Sequence, residues 1–238
     1  MAEREQICAQ HRRELSGSLY TVFFLLVTSF ALDRAFSLYF DKLLRGGQIS
    51  RWTYLLRYFH TGMAVVFLAE LTLVICLYRF GPLRMTLRDM GMTIAAQKWG
   101  GLAWGFLAGI LVCVAGLPLL RLDRRSDLTD LIMGEVFHPR IILLVILFAI
   151  LLPLASEIVF RGIVFKSLLE SSRLVPAVLV SALAFALVWP VYNLITGFLL
   201  GLTTAVLYHR FRSAIPAVVA NAVFTVAYAT TLLLRRLY

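Results

Sequence analysis

Apolar stretches of about twenty residues recur along the whole of this 238-residue chain, and that recurrence limits its fold more than any other feature. A helix needs roughly 20 residues to cross the roughly 30 Å hydrocarbon core of a bilayer. One such stretch could anchor a soluble body, but here they follow one another with short connections, leaving room for about seven spans. The pattern predicts spans near residues 17–40, 58–78, 99–120, 140–168, 174–191, 193–209 and 214–234. Composition agrees: 15% of residues are charged, against about 25% in an average soluble protein. The chain is therefore expected to be all-α, a polytopic transmembrane helix bundle forming a single integral membrane domain over residues 1–238. No segment is long enough for a second, soluble domain.

The net charge of +10 does not imply nucleic acid, because no basic block interleaves with aromatics outside the spans. Membrane proteins carry Lys and Arg in their loops to set orientation and to meet anionic headgroups. Cys76 and Cys113 fall inside apolar stretches as small packing residues, and Cys8 precedes the first span. No Cys or His spacing suits a metal, and no cofactor is expected. Asp33 and Arg34 follow the first apolar stretch where a cleavable signal would need small residues, so this stretch is expected to be retained as a helix. The basic segment from Arg79 to Lys98 suits a short helix lying on the membrane surface. Positive charge is nearly balanced between the two sets of loops. The uncharged connection at Pro190 to Asn193 tips the assignment towards a cytoplasmic N-terminus, in what is expected to be a bacterial cytoplasmic membrane.

Gly101, Gly105 and Gly109 lie four apart on one helix face, as do Gly197 and Gly201. Such ridges let helix backbones approach closely in lipid; they can face their own bundle or a partner. Ionisable residues inside a span are candidates for function. Glu70 sits in mid-span with no cation nearby in its own helix, which suits a polar contact between helices or a proton-carrying role. Glu157 and Arg161 are four apart with the acid on the N-terminal side, the favourable order for an ion pair on one helix face.

These residues also carry a resemblance. The run Leu152-Pro-Leu-Ala-Ser-Glu-Ile-Val-Phe-Arg-Gly-Ile-Val-Phe165 is similar to the first signature, Glu-Glu-x-x-x-Arg, of the CPBP intramembrane proteases. That family includes the CAAX prenyl endopeptidases and the Abi bacteriocin-processing and immunity proteins. Val178 to Trp189, with Ser181 and Phe185, resembles the second signature, Phe-x-x-x-His. Phe198 to Asn221 resembles the lead into the third, His-x-x-x-Asn, and Leu87-Arg-Asp-Met-Gly91 the family's upstream segment. The likeness covers about residues 85–230 and implies a helix bundle enclosing a membrane cavity.

The departures fall on the positions that handle protons. Ser156 stands for the family's first glutamate, Trp189 for the second signature's histidine, and Asn221 and Thr225 for the histidine and asparagine of the third. The resemblance implies that those acids and histidines activate a water and stabilise the oxyanion formed on the peptide carbonyl. A general base must accept a proton; serine cannot do so unaided, and tryptophan offers one N–H and no base. Asn221 could still donate to an oxyanion. Ser156 as a nucleophile would need a Lys or His in reach, and Lys166 lies ten residues on. His11, His60, His138 and His209 all fall near span ends or in loops. Arg161 should hold Glu157 ionised and make it a poor base.

No catalytic residue is therefore expected intact. The expected function is that of a degenerate CPBP-like scaffold or regulatory subunit, bound to another integral membrane protein as a hetero-oligomer in the lipid bilayer. A hydrophobic or lipidated peptide could occupy its cavity. The alternatives are an active intramembrane endopeptidase with a substituted site, for which Glu157 would be indispensable, and a subunit of a transport or cofactor-binding complex using Glu70. The latter class often shows internal repeats, and none is evident between the halves of this chain.

Overall fold

The computed structural model describes residues 42, 91–92, 98–118, 146–188 and 194–237. The expected first two spans, the Arg79 to Lys98 segment apart from Gly91, Met92 and Lys98, residues 121–140, Glu70, Trp189, Cys8 and Cys76, and His11, His60 and His138 lie outside them. Among the described residues, all regular structure is helical. Helix α1 is Lys98–Gly116. Helix α2 runs through residues 147–171 as π turns at Leu147–Leu151, α turns at Leu152–Glu157, π turns at Ile158–Phe165 and a last α stretch at Lys166–Ser171. Then follow α3 at Leu174–Val188, α4 at Leu194–Phe211 and α5 at Ile215–Leu237. Two of these, over Trp99–Gly116 and Leu194–Phe211, are long and apolar enough to cross a membrane.

The breaks have local causes. Pro176 and Pro216 sit in the first turns of α3 and α5, where a missing N–H costs little. Between α4 and α5 the chain turns at Arg212, whose backbone is left-handed (φ 51°) and whose N–H reaches the Tyr208 carbonyl at 2.8 Å. The π turns at the start of α2 precede Pro153, which has no N–H to return to the preceding turn, and such local irregularity is how helices absorb a proline.

Helix α2 is the axis of the molecule. All eight residues from Ile158 to Phe165 are buried, as expected of a helix apolar on every side and surrounded by others. Helices α3, α4 and α5 wrap it, and Phe160, Phe165, Phe185 and Phe224 fill the core between them. Both glycine ridges face inward. A Cβ at Gly105 would collide with the Pro216 carbonyl oxygen of α5, and one at Gly109 would lie 2.5 Å from that of Ala220. On the second ridge, a Cβ at Gly201 would lie 2.9 Å from Ala182 Cα and one at Gly197 3.4 Å from Ala186 Cα, both on α3. Cys113 is free and buried in α1.

Gly91 is docked onto the turn between α4 and α5. Its carbonyl accepts the Ala214 N–H at 2.9 Å, its φ is +78°, and a Cβ would meet Tyr208 Cε2 at 2.6 Å. Conformation and space thus both demand glycine. Gly91→Ala is expected to lower stability by about 1–3 kcal/mol from the left-handed backbone and crowding together. Thermal unfolding in detergent would check this, with Tyr208→Phe/Gly91→Ala no better than the single variant because the ring itself is the obstacle.

Candidate functional site

The segments resembling the three signatures meet in the bundle centre. Glu157 and Arg161 are both completely buried, and Arg161 Nε donates to Glu157 Oε2 at 3.0 Å. Two charges taken out of water are tolerable only when paired and hydrogen-bonded, and here each of the other guanidinium nitrogens finds an acceptor on another helix. One terminal nitrogen, Nη1, donates to Ser181 Oγ of α3 at 2.6 Å; Nη2 and Nε both reach Thr204 Oγ1 of α4, at 2.7 and 3.0 Å. The guanidinium carbon stands 5.4 Å from the centre of the Phe185 ring, within cation–π range. Phe160 meets the same ring edge-on at 5.4 Å.

The second half of the site comes from α5. Asn221 Nδ2 donates to Glu157 Oε1 at 2.9 Å and to Ser156 Oγ at 3.0 Å. An ionised carboxylate only accepts, which fixes the amide's orientation. Ser156 Oγ donates its one proton to the Pro153 carbonyl at 3.1 Å. Thr225 Oγ1 donates to the Asn221 backbone carbonyl at 2.8 Å and lies 3.5 Å from its Oδ1. Ser156, Ser181, Thr204, Asn221 and Thr225 are all buried.

Sequence reasoning brings Ser156, Glu157, Arg161, Phe185, Asn221 and Thr225 to this site, and the structure gathers all six. It revises one role. Asn221 was free, on sequence grounds, to donate to an oxyanion; both its amide protons are committed, to Ser156 and Glu157. Thr204 received no role from the sequence and Ser181 only a place in a motif, yet they hold most of the guanidinium. Spacing carried a signal: Thr204 follows Gly201 by three residues and Ser181 precedes Phe185 by four, which puts each on a face already marked as inward.

A peptide hydrolase needs a group free to take a proton from water. Glu157 is completely buried, with each oxygen accepting a hydrogen bond from Arg161 or Asn221, and the Ser156 proton points to a backbone carbonyl. His209 lies in the last turn of α4, more than a turn beyond Thr204. Among the described residues, no three Cys, His, Asp or Glu side chains gather as metal donors. As arranged, this centre joins α2, α3, α4 and α5 through polar contacts, each partner satisfied.

Residues 138–227 match the family described as Type II CAAX prenyl endopeptidase Rce1-like. That interval contains all six positions gathered at the site. No curated protein matches the chain, and neither does any solved structure.

Proposed function

Through residues 138–227 the chain belongs to the CPBP family of CAAX prenyl endopeptidase-like proteins, and we propose that it is a degenerate member that binds another membrane protein rather than cutting one. The observation that carries this reading is the closed, buried network: the carboxylate, the serine hydroxyl and the carboxamide at the family's motif positions bond to one another, to Arg161 and to the Pro153 carbonyl, shut away from solvent. An enzyme poised for hydrolysis keeps a base exposed to its water; this chain uses the same positions to tie its helices together. On this reading a hydrophobic helix or lipidated peptide docks on the bundle, and binding without cleavage needs no proton acceptor. The partner is expected to be an integral membrane protein in a stable hetero-oligomer.

Affinity purification of the tagged protein from its native membrane in mild detergent tests this. One membrane partner should be retained in stoichiometric amount, and peptides ending in a prenylated cysteine should emerge uncut from incubation with the purified complex. Cleavage of such a peptide, abolished by Glu157→Gln in a folded protein, would establish the endopeptidase reading instead. Recovery as a lone monomer in several mild detergents would remove the scaffold.

A further inference from the structure

Three arginines outside the buried network converge at one end of the bundle. Helix α2 ends at Ser171, and Arg173 lies in the turn into α3; Arg210 and Arg212 lie at the end of α4 and in the turn into α5. Helices α3 and α4 are antiparallel, with Gly197 opposite Ala186 and Gly201 opposite Ala182. Carrying that register towards the start of α3 sets Arg173 level with Arg210. The contact between the Phe165 and Tyr208 rings, 5.8 Å apart, brings the end of α2 to the same level. All three arginines are exposed. Among the described residues, the acid at this end, Glu170, already has an interaction of its own.

Directly below this cationic end begins an apolar face open to its surroundings: Val175 is 66% exposed, and Leu179, Leu183 and Leu187 continue it along α3. Trp99, 83% exposed, stands in the first turn of α1. The pairing of α1 with α5 is parallel, so Trp99 sits at the same end, where an amphipathic ring belongs at headgroup level. Arg212 adds an independent sign. Its left-handed backbone is one that glycine adopts freely and L side chains avoid. A strained residue kept where glycine would be relaxed points to a use for its side chain.

We propose that Arg173, Arg210 and Arg212 bind the phosphodiester headgroup of an anionic phospholipid whose acyl chains lie along the exposed face of α3. Positive charge meets the phosphate and the apolar face meets the tails, so one lipid satisfies both. This end of the bundle then faces the leaflet richer in anionic lipid. The proposal is independent of whether the buried centre cleaves or only binds.

The test uses the purified full chain in nanodiscs of mixed phosphatidylcholine and phosphatidylglycerol, with bound lipid counted by native mass spectrometry. The wild type should retain phosphatidylglycerol preferentially, and the preference should fall about fivefold for each arginine removed in Arg173→Gln, Arg210→Gln and Arg212→Gly. Arg212→Gly separates this from a structural role. Relieving the left-handed strain should leave thermal unfolding in pure phosphatidylcholine unchanged or raised, while lipid preference drops. An unchanged preference in Arg212→Gly and in the Arg173→Gln/Arg210→Gln pair would overturn the proposal. Excess inorganic phosphate should leave the lipid bound; if it abolishes the preference, free phosphate is the ligand and the lipid assignment fails.

Discussion

Replacing Arg161 with methionine is expected to destabilise the bundle by about 3–5 kcal/mol, the cost of leaving one member of a buried ion pair without its partner. Methionine fills most of the volume, so packing is a minor part of the loss. What remains is a Glu157 carboxylate at the centre of four helices, without its countercharge and with Asn221 still donating to Oε1 at 2.9 Å. The hydroxyls of Ser181 and Thr204 lose the proton donors they now accept from. Both can still donate to backbone carbonyls, Ser181 to Phe160 at 3.3 Å and Thr204 to Leu200 at 3.0 Å, so the penalty concentrates on the carboxylate.

That concentration makes the prediction sharper as a pair. Glu157→Leu in the Arg161→Met background should recover a large part of the loss, because an apolar pair in place of a buried ion pair is often neutral or stabilising. Unfolding of the wild type, both single variants and the double variant would give the coupling energy directly. If the double variant is no more stable than Arg161→Met, the damage lies in the lost links to α3 and α4 rather than in the unpaired acid.

How much of this centre was readable in advance differs from residue to residue. Glu157 and Arg161 were legible as a pair because four residues along a helix is a local relation, fixed by geometry within one element. Ser181 and Thr204 were legible only through their spacing from Phe185 and Gly201, not as partners of Arg161. That partnership depends on how α3 and α4 are rotated against α2, and α3, Leu174–Val188, is apolar apart from Ser181, so its hydrophobic periodicity marks no inward face. The glycine ridges show the same division: their spacing announced close helix contact, but only the packed bundle shows that α5 and α3 fill them. The π turns of α2 were invisible for a related reason. Every position from Ile158 to Phe165 except Arg161 and Gly162 is a large apolar residue, and a pattern with no polar face cannot reveal a change of helical pitch. Trp189 and Glu70, prominent in the sequence, lie outside the described residues.

Adding side chains to the α1 ridge is expected to have opposite signs at neighbouring glycines. Gly105 and Gly109 face the backbone of α5, where a Cβ would meet carbonyl oxygens of Pro216 and Ala220 and, at Gly109, the Phe224 nitrogen at 3.1 Å. Backbone cannot rotate aside as a side chain can, so the helices must part, and every contact along their shared length weakens. Gly105→Leu and Gly109→Leu should each cost about 3 kcal/mol or more, at or beyond the upper end of ordinary overpacking. Gly100, on the same helix, has nothing within 4 Å of its would-be Cβ. There alanine adds no clash and removes backbone freedom from the unfolded chain, so Gly100→Ala should gain about 0.5–1 kcal/mol. Unfolding in one detergent decides between the two explanations for the ridge. Loss at Gly105 and Gly109 with gain at Gly100 ties the ridge to contact with α5. Equal losses at all three would mean that glycine serves the helix itself, and that the close approach of α1 to α5 is not what these residues are for.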